Sequence, residues 1–287
     1  MRKIVIIVSI LLLGLGILLY PVLSNYLVEK NGTHAIEAYQ NMVSDLDQSE
    51  IDAALRAAKT YNENLTGQPV HDPFLDGSGM AMPKDYWQVL NLGNDNIMGF
   101  LEIPKIDVNL PIYHGTSSAV LDRGVGHLEG STLPIGGSAC HCVLTGHSGL
   151  PNARLFTDLT ELKIGDLFYI NVLGETLSYQ VDQIRVILPY DTDALRRVPD
   201  NDYCTLLTCT PYGVNDHRLL VRGVRVPYNP NVKADIIPVA TSHANNLVLV
   251  AGIVTAQIIS VIILVIVTVR WRRSHRRVPR QAEVTDG

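Results

Sequence analysis

Two long apolar segments constrain this sequence more than any other feature. Residues 4–23 and 247–269 carry no charged side chain, and each segment has the about 20 residues that an α-helix needs to cross a bilayer. Arg2 and Lys3 precede the first segment, and six arginines follow the second. Because positively charged flanks stay in the cytoplasm, the pattern predicts a two-pass protein of the cell membrane, with both termini cytoplasmic and the residues between the spans outside.

A cleaved signal peptide is an alternative for the first segment, since Val22 and Ser24 form a weak cleavage site. The second segment would still hold the protein in the membrane. Between the two segments the chain has 15 basic and 26 acidic residues, which is a net charge of −11. This acidic charge argues against nucleic acid or an anionic surface as a partner.

Apolar side chains recur at helical spacing over residues 33–65. One stripe starts at Ile36 and a second at Ile51, and Ser49 and Asp52 resemble a weakened capping box between them. The pattern predicts two short helices that pack on the main domain and act as a stalk.

From residue 86 onward, short β-rich runs separated by turns indicate a β-barrel or a β-sandwich. The runs cover residues 98–103, 110–113, 140–145, 167–172, 175–187, 203–209 and 218–226. One interrupting helix is expected at residues 155–162.

The last two runs predict a β-hairpin that brings a thiol and a guanidinium together. The first run ends in Cys209, the turn carries Pro211, Gly213 and Asn215, and the second run starts near Arg218. A fixed positive charge favours the thiolate, which is the nucleophilic form of cysteine, and the arginine can also stabilise a developing oxyanion. On pattern alone, a free core cysteine near a solvated arginine is the alternative.

Among the nine histidines, His147 has the position best suited to assist Cys209. It follows the apolar strand 142–145, so it has the same strand-end setting as the cysteine. Side chains at strand ends converge at one rim of a barrel, where a histidine can exchange protons with a nucleophile. A structural role is the alternative, as it is for His141, which alternates within the run 140–145.

Three stretches of the sequence resemble a known family. They are Thr-Leu-Leu-Thr-Cys ending at Cys209, with Arg218 nine residues later; Gly-Val-Gly-His-Leu at 124–128; and Leu-Thr-Gly-His-Ser-Gly-Leu-Pro at 144–151. They resemble the sortases, the membrane-bound cysteine transpeptidases of Gram-positive bacteria, and within them the pilin-polymerising branch, class C. The resemblance covers residues 97–226.

The resemblance implies a mainly β fold: a sortase-type closed β-barrel with short helices, an N-terminal helical and lid extension, and two transmembrane helices. The catalytic residues would be Cys209, His147 and Arg218. Leu207 and Thr208, which directly precede the cysteine, would contact the substrate.

Residues 66–84 are rich in glycine and proline and predict a long surface loop. Within it, Asp72, Pro73 and Phe74 indicate a turn on pattern alone. Class C sortases carry an Asp-Pro-aromatic lid in this region, so the resemblance implies that Asp72 pairs with Arg218 and that the ring of Phe74 covers Cys209. Proline would stiffen the lid, and the ring would keep water from the thiol.

The implied organisation has seven parts. They are a transmembrane helix or signal anchor (1–24), a helical stalk (25–65), a lid loop (66–85), the catalytic barrel (86–228), a linker (229–246), a transmembrane helix (247–269) and a basic cytoplasmic tail (270–287).

The implied reaction is transpeptidation between pilin subunits. Cys209 would cleave a Leu-Pro-x-Thr-Gly-like sorting signal at the C-terminus of one subunit, between Thr and Gly, and form a thioacyl enzyme. Arg218 would steady the oxyanion, and His147 would protonate the departing amine. A lysine amine of another pilin subunit would then take the acyl group as an isopeptide bond.

No metal or cofactor is implied, because the Cys-His-Cys run at 140–142 lacks the two-to-four-residue spacing of zinc sites. The cysteines support a different inference. Cys142 lies five residues before His147, and Cys204 lies five residues before Cys209. If the two strands are parallel neighbours, Cys142 and Cys204 form a buried thiol pair. A disulfide is disfavoured, because such strands rarely give good disulfide geometry.

Three other functions are weighed against pilin polymerisation. A sortase that anchors single proteins to the cell wall is close, although the second span and the lid triplet favour the pilin branch. A hydrolytic cysteine protease differs only in the nucleophile that resolves the thioacyl enzyme. A non-catalytic module that binds sorting signals is disfavoured by the intact set of Cys209, His147 and Arg218.

Overall fold

The computed structural model describes residues 2–65, 70–75, 82–93, 95–236 and 242–275. The chain divides into two units, one made of Met1–Leu23 and Ser242–Gly287 and the other of Ser24–Thr241. Two sequence-based predictions fall partly outside the described residues: the lid loop, at 66–69 and 76–81, and the basic tail, at 276–287.

The described residues of the first unit belong to two apolar helices, the first of which continues into the second unit. Helix α1 is Arg2–Asp45, and its segment Ser9–Asp45 is the one helix among the described residues that is long and apolar enough to cross a membrane. The C-terminal helix Ser242–His275 includes a shorter apolar stretch, Ala251–Ile263. The N-terminal helix therefore fits a membrane anchor.

The prediction of a separate short helix after residue 33 was wrong, because α1 continues through this region. Residues 24–45 contain no proline and one glycine, Gly32. A helix tolerates a single glycine at a cost of about 1 kcal/mol. The second predicted helix is α2, Gln48–Asn64.

The capping box of α2 lies two residues before the predicted one. Asp47 is the N-cap: its carboxylate accepts from the Glu50 backbone N–H at 2.9 Å, and the Glu50 carboxylate accepts from the Asp47 N–H at 2.9 Å. The prediction that Ser49 and Asp52 form the capping box was wrong, because α2 begins at Gln48, before the apolar stripe that starts at Ile51.

The second unit is built around a closed barrel of eight strands in the order β1-β2-β3-β4-β7-β8-β6-β5. The strands are β1 Ile97–Ile103, β2 Val108–His114, β3 Val125–His127, β4 Cys140–Thr145, β5 Leu167–Val172, β6 Glu175–Ile187, β7 Asp202–Thr210 and β8 His217–Val226. Two further short helices are α3 Ser118–Leu121 and α4 Pro230–Ala234, and the C-terminal helix is α5. The predicted mainly β, closed-barrel fold is confirmed.

Most neighbouring strands are antiparallel, whereas β2 pairs with β3 and β4 pairs with β7 in parallel. The expected helix at 155–162 is a 3₁₀ turn, Thr157–Glu161. The expected linker at 229–246 contains α4, and its residues 237–241 lie outside the described chain.

The barrel interior is filled with aliphatic and aromatic side chains. The rings of Phe168 and Tyr179 stack at 5.5 Å between centroids. A side chain at Gly223 on β8 would meet the Phe168 ring, since an added Cβ would lie 2.6 Å from it. Glycine is therefore required where β8 crosses this aromatic pair.

The predicted proximity of Cys142 and Cys204 is confirmed. The two residues are partners in the parallel pairing of β4 with β7, and both are buried as free cysteines. Burial raises the pKa of Cys142 well above its usual range, so this thiol stays protonated.

The outer part of α1 is fixed to the barrel through Tyr39. Its hydroxyl donates to the carbonyl of Met98 on β1 and accepts from the N–H of Leu173, between β5 and β6, both at 2.9 Å. One buried hydroxyl thus satisfies a backbone group on β1 and another in the turn between β5 and β6.

Tyr39→Phe tests this contact. The substitution leaves a buried carbonyl and a buried N–H without their partner, so we expect it to lower the free energy of unfolding by about 1–3 kcal/mol. Thermal unfolding of the full-length protein in detergent measures the effect. Tyr190→Phe is the matched control, because Tyr190 is 82% exposed; equal melting temperatures of the two variants would contradict the prediction.

Candidate active site

Cys209 and Arg218 face each other across the β7–β8 hairpin. They are directly paired residues of the two antiparallel strands, so their side chains leave the sheet on the same face. Both are buried, with 7% of Cys209 and 3% of Arg218 exposed. The predicted juxtaposition of thiol and guanidinium is confirmed.

His147 lies two residues beyond the end of β4. Because β4 runs parallel to β7 and Thr145 pairs with Leu207, the two strands end at the same edge of the barrel. The strand-end argument therefore places His147 and Cys209 at one rim.

Hydroxyl side chains tie the histidine loop to the cysteine strand. Thr208 Oγ donates to the carbonyl of Gly146 at 2.7 Å, and Ser148 Oγ donates to the carbonyl of Cys209 at 2.8 Å. The residues on both sides of His147 are thus bonded to β7. Sequence analysis missed this arrangement, although the hydroxyl residues beside the two strand ends were a visible signal.

Leu207 and Thr208 are each 1% exposed. The Thr208 hydroxyl is occupied by Gly146, and Leu207 packs with Val143 and Leu220 in an apolar cluster that Phe74 joins. Their predicted contact with substrate stays a prediction.

The Asp72–Phe74 segment closes over this rim. Arg218 donates through Nε to Asp72 Oδ2 at 2.5 Å and through Nη2 to Asp72 Oδ1 at 3.1 Å. The same carboxylate accepts from the Phe74 N–H at 2.8 Å, which fixes the turn that Pro73 opens. The predicted contact between Asp72 and Arg218 is therefore present, and it is a buried two-point ion pair.

The Phe74 ring packs on the other two polar groups of the rim. Its centroid lies 5.2 Å from that of the His147 imidazole and 5.2 Å from the guanidinium carbon of Arg218. The ring thereby covers the histidine and the arginine. Its cover over Cys209 stays a prediction.

Three other histidines are engaged in the barrel wall. His127 lies between the Tyr86 hydroxyl and the carbonyl of Thr132, and burial lowers its pKa to about 4. His141 contacts the carbonyl of Arg196 and the hydroxyl of Thr205, and both ring nitrogens of His114 contact backbone carbonyls. Within the described ranges, no group of three or more His, Cys, Asp or Glu side chains is arranged to hold a metal ion.

Comparison with known proteins agrees with this geometry. Residues 101–226 match the family model "Sortase domain". Sortase C-1 of Streptococcus pneumoniae is 46% identical, with a TM-score of 0.65 over 68% of this chain and 100% of that one. The chain belongs to the sortase family, whose members are cysteine transpeptidases.

Two further relatives illustrate the range of similarity. The structure of the pilus-related sortase C of Group B Streptococcus is 44% identical to this sortase, with a TM-score of 0.62 over 66% of this chain and 96% of that one. Sortase D of Bacillus subtilis is 30% identical over 45% of this chain, and the match spans 63% of that protein's length.

With the lid closed, this sortase holds its candidate nucleophile as a neutral thiol. Burial raises the pKa of Cys209 to about 11; the Arg218 charge lowers that pKa, and Asp72 raises it. The expected effect of Arg218 is present, since its charge lowers the pKa of Cys209, but in the closed state burial and the Asp72 charge outweigh it. Burial also lowers the pKa of His147, against a smaller opposing effect of Asp122, so the imidazole stays neutral.

Asp72→Asn tests this control of the thiol by the lid. The change removes a negative charge and replaces the ion pair that holds residues 72–74 in place with a weaker hydrogen bond. Both effects lower the pKa of Cys209, so more thiolate is present at neutral pH. Each pKa unit changes the thiolate fraction about tenfold, and we expect iodoacetamide to label Cys209 at least about tenfold faster at pH 7.

Mass spectrometry of the peptide that contains Cys209 gives the labelling rate as a function of pH, from about pH 6 to 10, for the wild type and the variant. Asp216→Asn is the matched control, since Asp216 is exposed and pairs with His217. Identical profiles for Asp72→Asn and the wild type would show that the lid does not govern the thiol.

Proposed function

We propose that this sortase joins pilin subunits by transpeptidation. It cleaves a Leu-Pro-x-Thr-Gly-like sorting signal between Thr and Gly and transfers the acyl group to a lysine of another subunit. The observation that carries the proposal is the direct pairing of Cys209 with Arg218, with His147 at the same rim. The likeness to the pilus-related sortase C of Group B Streptococcus supports the substrate class.

The first half-reaction begins when the lid leaves. Water then reaches Cys209 and the negative charge of Asp72 departs, so the pKa of the thiol falls from its closed-state value of about 11. The thiol gives its proton to the neutral imidazole of His147, and the resulting thiolate attacks the Thr carbonyl of the sorting signal. Arg218, released from Asp72, donates to the oxyanion, and protonated His147 gives its proton to the glycine amine as the C–N bond breaks.

The second half-reaction resolves the thioester. A neutral lysine amine attacks the same carbonyl, an isopeptide C–N bond forms and the C–S bond breaks. His147 takes the proton that the amine loses, and Cys209 leaves as thiolate. Arg218 again faces the oxyanion, so one guanidinium serves both halves.

In the closed state the lid residue Asp72 engages the Arg218 guanidinium, which the reaction needs to stabilise the oxyanion. With the Arg218 Nε and one N–H of Nη2 on Asp72, and Nη1 on the carbonyls of Asn215 and His217, a single N–H is left for an oxyanion. The ion pair is also buried, so Arg218 becomes available only when residues 72–74 move away and both charges return to water. We therefore propose that the enzyme is inactive until a substrate displaces residues 72–74.

We further propose a two-pass topology. Residues 247–269 form the second span, the basic flanks of both spans lie in the cytoplasm, and the barrel lies outside. The long, uncharged C-terminal segment and the arginines that follow it support this arrangement.

Acyl-enzyme formation tests the catalytic assignment. Full-length sortase in detergent is incubated with a Leu-Pro-x-Thr-Gly peptide, and intact mass spectrometry follows the protein. We expect the mass of the Leu-Pro-x-Thr acyl group on the wild type, faster formation for Asp72→Ala/Phe74→Ala, and no adduct for Cys209→Ala. Cys140→Ala is the matched control, which should still form the adduct because Cys140 is away from the rim.

An adduct absent even from the lid variant would indicate a module that binds sorting signals without cleaving them. An adduct that yields only free acid in the presence of lysine-bearing pilin would favour hydrolysis.

Reporter fusions test the topology. Alkaline phosphatase joined after residue 236 is expected to be active, because that point lies outside the cell, and the same reporter after residue 287 is expected to be inactive. β-Galactosidase fusions at the two points are the reciprocal control. Phosphatase activity at residue 287 would overturn the two-pass arrangement.

A further inference from the structure

Strand β6 is longer than the strand that flanks it on one side. β5 pairs with β6 over residues 175–180, and the last backbone contacts on that side are those of Val181 with Gly165 and Asp166. After a bulge between Val181 and Gln183, the strand pairs with β8 alone. Within the part of the chain that the structure describes, the outer edge of 183–187 therefore has no strand partner.

Inward-facing apolar residues are exposed along this open edge. Ile184 pairs with Val221 and Val186 with Leu219, both of which belong to the barrel core. Directly opposed residues share one face of a sheet, so Ile184 and Val186 face inward. They are nevertheless 36% and 59% exposed, because β5 does not extend to cover them.

The apolar surface continues beyond the strand toward the catalytic rim. Leu188 is 58% exposed and Tyr190 is 82% exposed. We call the four residues Ile184, Val186, Leu188 and Tyr190, together with the free edge, the β6 edge surface. One charged residue, Arg185, lies between Gln183 and Ile187, so the edge has little of the charge that usually prevents strands from pairing with other chains.

The β6 edge surface ends beside the catalytic pair. Ile187 pairs with Arg218, and Arg218 pairs with Cys209. Neighbouring strands are about 4.8 Å apart, so a strand added to β6 would lie about 14 Å from the β7 backbone at Cys209. Two or three further residues of extended chain, at about 3.3 Å each, together with a lysine side chain, span that distance.

The proposed reaction needs two polypeptides at Cys209. Residues 70–75 cover the outer face of β7 and β8, where Val70 and Phe74 pack with Leu207 and Leu220. Departure of the lid exposes that face to the sorting signal. The lysine-bearing subunit then needs a different surface. The β6 edge surface offers one, because β6 flanks β8 on the side away from β7.

We infer that the β6 edge surface binds an extended, apolar segment of the acceptor subunit by strand addition and so delivers its lysine to the Cys209 thioester. The inference rests on the proposed function. Backbone hydrogen bonds along 183–187 hold the segment, and its alternate side chains cover Ile184 and Val186.

The experiment separates acylation from acyl transfer. Full-length Asp72→Ala/Phe74→Ala sortase in detergent is acylated with a Leu-Pro-x-Thr-Gly peptide and then offered one of three amines. These are a ten-residue peptide of alternating Val and Thr with one C-terminal lysine, the same peptide with alternate backbone amides N-methylated, and hydroxylamine. Mass spectrometry measures acyl-enzyme and product for this background, for Val186→Asp added to it, and for Val232→Asp as the matched control on α4, where Val232 is 44% exposed.

We expect Val186→Asp to reduce transfer to the alternating peptide about tenfold. Acylation and transfer to hydroxylamine should stay unchanged, and Val232→Asp should match the background. We also expect the N-methylated peptide to be about tenfold slower on the background enzyme, because it cannot complete the strand ladder.

Equal transfer by Val186→Asp and Val232→Asp, or equal use of the two peptides, would overturn the inference while the proposed function stood. Failure of the background enzyme to acylate would overturn the proposed function instead. A dimer in light scattering that Val186→Asp alone dissociates would assign the edge to a second copy of this chain and would also overturn the inference.

Discussion

The in-register parallel pairing of β4 with β7 is the constraint on which the site depends. It places Cys142 beside Cys204 and Thr145 beside Leu207, and His147 and Cys209 each lie two residues beyond that last pair. His147 and Cys209 then emerge at one rim. Ser148, which follows the histidine, donates a hydrogen bond to the carbonyl of Cys209, 61 positions later in the sequence. A shift of one residue would turn every side chain of one strand to the other face and separate the pair. The Thr208 and Ser148 hydrogen bonds hold this register at the point where the chemistry takes place.

The lid acts on the same rim through charge and through exclusion of water. Asp72 satisfies Arg218 at two points, and Phe74 covers the His147 imidazole and the Arg218 guanidinium that a substrate would otherwise meet. Burial favours a neutral thiol and a neutral imidazole, and the Asp72 charge further disfavours the thiolate. The ion pair compensates the two buried charges of the closed state, and it also withholds Arg218 from the reaction.

Much of the fold was readable from the sequence, because strand ends and turns leave local signals. The bounds of β4, β5 and β6 were predicted to the residue, since each is a β-rich run between clear turns. β3 was missed, because it has three residues, one of them Gly126, and no alternation to detect. The continuity of α1 was missed, because the apolar segment ends at residue 23 and the next helical stripe was recognised only from Ile36.

The site was predictable in its residues and less so in its electrostatics. The strand-end settings of Cys209 and His147 and the family resemblance pointed to the rim that the structure contains. The protonation state of Cys209 depends on the balance between burial, Arg218 and Asp72, and only the folded arrangement gives that balance. The open edge of β6 was equally hidden, because it arises from the different lengths of two paired strands.

In the proposed topology, which places the barrel outside the cell, the closed lid also protects the enzyme from oxidation. Oxidants attack the thiolate, and a thiol with a pKa of about 11 is ionised in roughly one molecule in ten thousand at pH 7. The three remaining cysteines are buried in the barrel wall. An enzyme that waits between substrates in an oxidising environment thus keeps its sulfur chemically dormant, and it exposes a reactive cysteine only while a substrate is there to consume it.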